Sequence, residues 1–352
     1  MRWLADAPRI ADRSGGRDNN FDLIRMLAAT GVMVSHAYPL ALGAGTPEPL
    51  ETFLKGDNLG RACVFAFFSI SGFYIARSFL GKRDVSAFLR ARILRLYPAL
   101  FGMLLVTGLV AALALSQAPG IWAALPGYVL RGLTFSGSGL PGMFPDNPLP
   151  GTVNGSLWTL PYEVLFYLTV LVVGVLGLFD RKPLVVLVAL LFLASYYAGP
   201  MLTGRYYVLS ALYLGLPFLV GVCFYLWQDR IPLSPVIAGG LVLLVLLLRP
   251  TPLFLPVFIL ALAYGLFWLG FARTPRLQVY NRLGDYSYGT YIYAFPVQQT
   301  VAEAGVGMGG MTPLGHLAIA VPVTFALAAL SWHLIEAPAL RLRRPAFWRT
   351  GA

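Results

Sequence analysis

The sequence predicts an all-α polytopic membrane protein with about ten transmembrane helices, and two observations support this. Of its 352 residues, 58% are hydrophobic and only 12% are charged, with a mean hydropathy of +0.71, whereas a soluble protein carries roughly a quarter charged residues. Apolar runs of about 20 residues recur along nearly the whole chain. Each run is long enough to cross a bilayer core of about 30 Å.

The positive charges predict how the chain is oriented in the membrane. The predicted spans are residues 21–42, 59–80, 92–116, 157–179, 183–200, 206–227, 234–249, 253–271, 284–303 and 312–335. With the N-terminus inside, the inner segments hold 19 of the 26 Lys and Arg residues when Arg92 and Arg95, at the inner end of the third span, are included. This bias agrees with the positive-inside rule and predicts that both termini are cytoplasmic. The net charge of +11 is then mainly topological, and nucleic acid is not an expected partner.

The predicted organisation is a single integral domain. Residues 1–19 form a cytoplasmic segment, 20–340 the transmembrane domain and 341–352 a basic cytoplasmic tail. Residues 1–19 are too polar for a cleaved signal peptide, so we expect the first span to direct insertion. Only Cys63 and Cys223 are present, both in apolar spans, and they predict neither a disulfide framework nor a cysteine metal site.

One long connection, at about residues 117–156, is predicted outside the membrane. Its "FSGSGLPGMFPDNPLPGTVNGS" stretch is rich in Gly, Pro, Ser and Asn and predicts irregular loop. The preceding "PGIWAALPGYVLRGL" suggests a short interfacial helix. Loops of this length are usually functional lids or disordered connectors, and both alternatives stay open.

The first span, "FDLIRMLAATGVMVSHAYPL", contains polar residues that a lipid-facing helix would avoid. Arg25 and His36 are eleven residues apart, which puts both on one helix face about 16 Å apart along the axis. Ionisable residues within spans suggest function. The alternatives are that Arg25 is an interfacial anchor paired with Asp22, and that His36 is a hydrogen-bonded core histidine.

Glu163, in "GSLWTLPYEVLFYL", is expected about 9 Å inside its span, at a depth similar to that of His36. An imidazole and a carboxylate at one depth are suited to proton transfer. The alternative is an unrelated buried glutamate satisfied by Tyr or Trp side chains.

Two further stretches carry small or basic residues. In "FAFFSISGFYIARSF", Ser69, Ser71 and Gly72 would allow close helix packing, although the hydroxyls could also serve a substrate. In "RARILRLYP", Arg92 and Arg95 lie on neighbouring turns. They suit either anionic lipid headgroups or a nucleotide phosphate.

Together these stretches resemble the acyltransferase-3 family of integral membrane acyltransferases, from Asn20 to about Arg344. The first helix resembles the family's opening helix, with ten residues between Arg25 and His36. "FFSISGF", "RARILRLYP" and "SLWTLPYEVLFYL" resemble its second-helix, cytoplasmic and W-S-L-x-x-E-x-x-F-Y motifs, while "LGDYSYGTYIYAFP" and "IEAPALRLRR" resemble its ninth helix and its E-x-P ending.

The resemblance implies transfer of an acyl group, commonly acetyl from acetyl-CoA, to a carbohydrate hydroxyl in a bacterial inner membrane. His36 and Glu163 would be catalytic, with His36 as the base. The donor acyl-CoA is a co-substrate, and neither a resident cofactor nor a metal is expected. The acyl-CoA would be bound by Arg25, Arg92, Arg95, Ser69 and Ser71. The acceptor, a polysaccharide or a lipid-linked oligosaccharide, would be bound by Trp158, Tyr162 and Tyr288. A covalent acyl-histidine intermediate is an alternative to direct transfer.

The sequence departs from the family pattern at three places. The family often has histidine near the middle of the ninth helix, where this chain has Tyr293, Ala294 and Phe295. The second carboxylate common after Glu163 is Val164. The chain ends soon after the tenth span, where some relatives continue into an esterase-like domain.

Three other functions remain alternatives. In a proton-coupled transporter, Arg25, His36 and Glu163 would form a relay, but the sequence lacks the matched halves typical of transporters. An acyltransferase could instead act on a small-molecule acceptor. A catalytically silent scaffold is disfavoured by the presence of Arg25 and His36. His316 and His333 are interpreted as structural.

Overall fold

The structure, a computed structural model, describes residues 7–16, 18–198, 206–306 and 310–343. It is all-helical, with 74% of the residues in helices and no strand in those ranges. A lone β-bridge joins Arg9 to Pro232. The predicted fold class is therefore confirmed at the level of an all-α protein.

Fourteen α-helices are numbered here along the described chain. They are α1 Ile10–Ser14, α2 Phe21–Leu42, α3 Leu59–Leu80, α4 Val85–Val110, α5 Ile121–Leu133, α6 Leu160–Val175, α7 Lys182–Ala198, α8 Tyr206–Leu226, α9 Pro235–Leu248, α10 Phe254–Gly270, α11 Pro275–Gln278, α12 Ser287–Val306, α13 Pro313–Ser331 and α14 Ala337–Arg341. Two wider helical turns, Ala111–Leu115 and Trp332–Glu336, extend α4 and connect α13 to α14.

Every predicted span overlaps one of these helices, but fewer helices have the length and hydropathy of a membrane span. Five described segments qualify: Leu59–Leu80, Val85–Leu115, Gly155–Val175, Tyr206–Leu226 and Pro313–Arg341. A sixth is obtained if the pair Phe254–Gly270 and Pro275–Arg282, bent by 87°, counts as one span. The apolar helices Lys182–Ser195 and Pro235–Leu248 are shorter. Ten spans and cytoplasmic termini stay predictions.

Local sequence explains several helix boundaries. Pro235 and Pro313 occupy first-turn positions, where proline removes no helical hydrogen bond. The preceding side chains, Ser234 and Thr312, accept hydrogen bonds from the backbone N–H groups of Val236 and Gly315. These caps satisfy donors that would otherwise be unpaired at a helix start.

The described chain forms two compact units. The first comprises residues 1–25, 64–85 and 162–283, and the second residues 26–63, 86–161 and 284–352, apart from the undescribed positions. Both units contain residues of the predicted transmembrane domain at 20–340, whose bounds stay a prediction. The predicted spans and segments that include residues 1–6, 17, 199–205 and 344–352 lie partly outside the described residues.

Aromatic rings fill the interior of the first unit. Phe73 and Phe267 lie with their ring centroids 5.0 Å apart, and both belong to a buried cluster that includes Phe21 and Phe271. Such rings pack favourably in tilted and edge-to-face arrangements. The cluster joins the beginning of α2 to α3 and α10.

Helix α12 forms the buried centre of the second unit. Most of its residues are buried, and its main partner is α13. Met33 of α2, Ala294 and Val297 of α12 and Ala320 of α13 share one apolar cluster. The same helix also carries buried polar side chains, including Thr290, Gln298 and Gln299, and of these Gln299 bonds to the carbonyls of Leu149 and Thr152 in the long connection.

Candidate functional site

Helix α2 carries Arg25 and His36 on one continuous element, as the sequence predicted. Arg25 Nη1 lies 3.4 Å from Asp22 Oδ1, and its guanidinium lies over the Tyr74 ring at 5.4 Å from the centroid. The ion pair that the anchor alternative required is therefore present. Both side chains are partly exposed, so the pair leaves part of the guanidinium accessible to an anion.

The imidazole of His36 is partly buried and lies against Phe295 of α12. The two rings meet edge to face, with centroids 5.2 Å apart and planes inclined by 78°. His36 Nδ1 is buried and has no hydrogen-bond partner among the described residues. Nδ1 thus lacks the hydrogen bond expected of a satisfied core histidine.

A short helical turn, Gly155–Thr159, packs on the same part of α12. The Nδ2 of Asn154 donates to the carbonyl of Ile292 at 2.9 Å, while its Oδ1 accepts from Ser156 N at 3.0 Å. The Tyr291 hydroxyl donates to the Ser156 carbonyl at 2.9 Å and lies 2.8 Å from Thr159 Oγ1. These buried contacts hold the turn on α12.

Gly155 brings the turn to the ring that contacts His36. A Cβ added at Gly155 would lie 2.6 Å from Cε2 and 2.7 Å from Cζ of Phe295, which is closer than side chains pack. Trp158, predicted to bind the acceptor, lies in the same turn and is 36% exposed. The structure therefore connects Trp158 to His36 through Gly155 and Phe295.

Residues 147–152 of the long connection are also fixed to α12. Asn147 Nδ2 donates to the side-chain Oε1 of Gln299 at 2.7 Å, and Gln299 Nε2 donates to the carbonyls of Leu149 and Thr152. Asn147 and Gln299 are both buried. Of the two alternatives for this connection, a disordered connector is therefore contradicted. The helix expected before it is α5.

Arg95, predicted to bind the donor, makes ion pairs within the second unit. Its Nη2 lies 2.5 Å from Asp285 Oδ2, and its Nη1 lies 3.9 Å from Glu336 Oε2. Ser287 donates to Asp285, and Ser331 donates to Glu336. One guanidinium therefore connects α4 with the beginning of α12 and the turn after α13.

Tyr288, predicted to bind the acceptor, contacts Arg95, which is predicted to bind the donor. The Arg95 guanidinium is 5.8 Å from the Tyr288 ring centroid, and the Tyr288 hydroxyl donates to the Leu96 carbonyl at 3.0 Å. Its acceptor-binding role stays a prediction, but its surroundings are those of a predicted donor-binding residue.

Positive charge accumulates around this end of α4. Arg92 is partly buried, and its guanidinium lies 5.9 Å from the Phe88 ring centroid. Partial burial, followed by the positive charges of Arg92 and Arg95, lowers the pKa of Arg343 to about 10. Arg343 still carries its charge at neutral pH. Its proximity to Arg92 and Arg95 was not predicted from the sequence.

Ser69 and Ser71 lie in a close helix crossing in the first unit. A Cβ at Gly72 would overlap the carbonyl oxygen of Phe218, and one at Gly221 would overlap that of Ser69. Helices α3 and α8 therefore meet backbone to backbone. Ser69 is fully buried, and its Oγ has no hydrogen-bond partner among the described residues. This is the packing arrangement that small residues permit in membranes.

Glu163, the second predicted catalytic residue, lies in α6 of the first unit. Its carboxylate accepts a hydrogen bond from the Tyr167 hydroxyl one turn later, as the alternative interpretation required. Tyr162, beside it, is buried. The first unit thus holds Arg25, Ser69, Ser71, Tyr162 and Glu163, and the second holds His36, Arg92, Arg95, Trp158 and Tyr288.

The two remaining histidines are hydrogen-bonded. His316 is fully buried, and its Nε2 lies 2.8 Å from the Gln298 carbonyl. His333 is exposed, and its Nε2 lies 3.0 Å from the Tyr286 hydroxyl. Their interpretation as structural residues agrees with these contacts.

An all-helical chain with candidate membrane spans and a histidine within one of its helices belongs to the class of helical membrane proteins. Residues 18–333 match the acyltransferase-3 family, described as an acyltransferase domain. The match covers most of the chain, so the chain belongs to this family. It is an integral membrane protein and an acyltransferase.

Two relatives match over nearly their full length. The chain is 31% identical over 376 residues to nodulation protein 10 of Rhizobium leguminosarum bv. viciae, covering 94% of this chain and 96% of the relative. It is 29% identical over 365 residues to an O-acetyl transferase of Shigella phage Sf6, covering 91% and 95%. No solved structure matches the chain.

The structure adds residues that sequence reasoning did not assign to the site. Phe295 was noted only because histidine is common near its position, and Asn154 and Gly155 were interpreted as loop residues. Asp285 and Glu336 lie in motifs that carried the resemblance but had no assigned role. The short spacing between Asp285 and Ser287, a capping pattern, was the local signal for Asp285.

Proposed function

We propose that this protein is an O-acetyltransferase that moves an acetyl group from acetyl-CoA to a hydroxyl of a surface polysaccharide or lipid-linked sugar. The observation that carries the proposal is His36, a partly buried imidazole whose Nδ1 has no partner among the described residues, in the helix that also carries Arg25. Membership of the acyltransferase-3 family and a relative named O-acetyl transferase support it.

His36 would act as general base. Its imidazole takes the proton of the acceptor hydroxyl as the hydroxyl oxygen attacks the thioester carbonyl. The new C–O bond forms, the C–S bond breaks, and the CoA thiolate receives a proton to leave as free CoA. Glu163 is the second proposed catalytic residue. A base held in place by protein contacts raises the rate because less motion must be restricted at the moment of reaction.

The proposed donor contacts come from cationic side chains. Arg25 lies three helical turns from His36, about 16 Å along the axis, which is of the order of a pantetheine arm. Arg92 and Arg95 are proposed phosphate contacts on α4, because guanidinium groups bind phosphate oxygens bidentately. Ser69 and Ser71 remain proposed donor contacts that compete with their packing role.

The acceptor is proposed to approach the turn that carries Trp158, whose exposed ring offers a stacking surface to a sugar. Tyr162 and Tyr288 are the other proposed acceptor contacts. The proposed setting is a bacterial inner membrane, with ten spans and both termini cytoplasmic. The acceptor would then meet the enzyme from the outer side, beneath the connection at residues 117–156.

The test uses purified protein in nanodiscs with radiolabelled acetyl-CoA. The acceptor is lipid-linked sugar extracted from cells in which the gene for this protein has been deleted. Wild type is expected to release free CoA and transfer label, and NMR should show new O-acetyl signals. His36→Ala is expected to lose activity by about 100-fold or more, the scale of general-base catalysis. Arg25→Ala is expected to raise KM for acetyl-CoA. Glu163→Gln is measured separately.

The matched control is His333→Gln, since His333 is exposed and outside the proposed machinery. It is expected to keep wild-type activity. Full activity of a folded His36→Ala variant would contradict the proposed base. CoA release with small sugars, but with no lipid-linked or polymeric acceptor, would assign a small-molecule acceptor.

A further inference from the structure

We propose that Phe295 and Gly155 are positioning residues that fix the orientation of His36 and make it depend on the turn that carries Trp158. This inference rests on the proposed function, in which His36 is the base. It concerns how the base is held, and all of its residues belong to the second unit.

The first step is the contact between the rings. Among the contacts of the His36 imidazole is the Phe295 ring, at 5.2 Å between centroids and an angle of 78°. His36 Nδ1 has no hydrogen-bond partner among the described residues. In many enzymes a carboxylate or carbonyl bonded to the second nitrogen orients the imidazole. With Nδ1 unbonded, ring packing against Phe295 takes over part of that role.

The second step is what holds Phe295. Its side chain is 4% exposed, and Gly155 lies so close that a Cβ there would be 2.6 Å from Cε2 and 2.7 Å from Cζ. The ring therefore has little room to shift toward the turn, and the same ring contacts the imidazole. Gly155 does not have a positive φ, so this close approach is the reason that a side chain is excluded there.

The third step is what holds Gly155. The preceding residue, Asn154, bonds to the Ile292 carbonyl and to Ser156 N. The following residue, Ser156, accepts from the Tyr291 hydroxyl through its carbonyl. Ile292 and Tyr291 lie one turn before Phe295 on α12, so the same helical turn fixes both the glycine and the ring.

The turn would therefore couple acceptor binding at Trp158 to the orientation of His36. An acceptor that contacts Trp158 acts on a segment whose neighbour, Gly155, abuts the ring against His36. Displacing the turn by a fraction of an ångström moves the Phe295 ring and changes the orientation of the imidazole. Misplacement of a catalytic group by about 1 Å can cost on the order of 100-fold in rate.

The test compares steady-state kinetics of Gly155→Ala with those of Gly139→Ala. Gly139 lies in the same connection, has no positive φ, and a Cβ there meets nothing within 4 Å. Gly155→Ala is expected to lower kcat on the order of 10-fold to 100-fold, with KM for acetyl-CoA changed less than about twofold. Gly139→Ala is expected to match wild type. A purely structural defect would lower the folded fraction and leave kcat per folded molecule unchanged.

The double variant Gly155→Ala/Phe295→Leu tests the route. Leucine lacks the ring atoms that the new methyl group would meet, so the double variant is expected to be no slower than Phe295→Leu alone. Independent, additive losses from the two single changes would overturn the proposal, as would equal kcat for Gly155→Ala and Gly139→Ala.

A measurement independent of turnover is the rate at which diethyl pyrocarbonate modifies His36, followed by mass spectrometry. Phe295→Leu removes the ring beside the imidazole and is expected to increase this rate severalfold, while modification of His333 stays constant. An unchanged rate at His36 would overturn the proposal. Absence of CoA release by wild type would instead overturn the proposed function, and the labelling result would still decide the positioning role.

Discussion

The interiors of the two units are built from different chemistry. The first unit packs aromatic rings around Phe73 and Phe267 and brings two backbones together at Gly72. In the second unit, α12 carries side-chain amides that bond to backbone carbonyls of neighbouring segments, as Gln298 and Gln299 do. Apolar packing joins helices without fixing a loop, whereas directional hydrogen bonds can fix one. The loop next to His36 is held by the second kind of contact.

This difference also separates residues that the sequence placed in one site. Ser69 belongs to the backbone crossing of the first unit, while His36 lies beside the hydrogen-bonded turn of the second. Helix packing explains why a small residue such as Ser69 occurs at a close crossing. Packing does not explain a His36 imidazole whose Nδ1 has no partner among the described residues, and so the proposed function is centred on His36.

The largest effect is expected at the backbone crossing. Gly72→Ala would force α3 and α8 apart, because its Cβ would overlap the Phe218 carbonyl. Overpacking typically costs about 1–3 kcal/mol and sometimes more, and here the obstacle is backbone. We expect about 3 kcal/mol or more, measured as a fall in the unfolding midpoint in detergent.

The control for this change is Gly265→Ala, in α10 of the same unit. A Cβ there meets nothing within 4 Å, so alanine should stabilise the helix by about 0.5–1 kcal/mol through its higher propensity. Equal unfolding midpoints for Gly72→Ala and Gly265→Ala would show that the close contact of α3 and α8 at Gly72 does not stabilise the first unit.

An intermediate effect is expected in the hydrogen-bonded interior. Gln299→Leu removes two bonds to the carbonyls of Leu149 and Thr152 and the acceptor for Asn147 Nδ2. Each buried group left without a partner costs about 1–3 kcal/mol, although water reaching the loop would reduce the sum. We expect a loss of about 2–3 kcal/mol and new protease cleavage between residues 140 and 153.

The neighbouring change Gln298→Leu sharpens this prediction. The Gln298 side chain donates one bond, to the Met33 carbonyl, and does not bond the loop. It should cost about 1–2 kcal/mol and leave the loop resistant to protease. A loop that is cut equally in both variants would contradict the assignment of its anchoring to Gln299.

The smallest effect is expected for Ser69→Ala. The change deletes a buried hydroxyl that has no partner among the described residues, so stability should change by less than about 0.5 kcal/mol and kcat by less than about twofold. If Ser69 contacts the donor, the change should instead raise KM for acetyl-CoA. The KM for acetyl-CoA of the purified variant therefore decides whether Ser69 packs helices or binds the donor.

Much of the fold could be predicted because it follows from local composition. Apolar runs predicted where helices occur, and all ten predicted spans overlap helices. The loop helix at Ile121–Leu133 was also predicted, since its apolar residues continue over several turns. The wide turn at Trp332–Glu336 was not, because its backbone geometry has no compositional signature.

The site was predictable only where its residues share one helix. The spacing of Arg25 and His36 is a property of α2 alone. The contact of Arg95 with Asp285, 190 residues away, and that of Asn147 with Gln299, 152 away, depend on tertiary packing. From the sequence alone, Ser71 and Gly72 were compatible with either helix packing or substrate binding. The steric reason for Gly72 depends on the position of the Phe218 carbonyl, which is a property of the tertiary structure.

The anchoring of the long connection has a practical consequence for engineering this protein. Its buried contacts through Asn147, Asn154 and Gln299 are concentrated near its end, whereas Gly137 is exposed and has open space around it. An epitope inserted at Gly137 would lengthen the chain where little packing is lost. Antibody accessibility of that epitope in intact cells would then report the sidedness of the whole connection while catalysis continues.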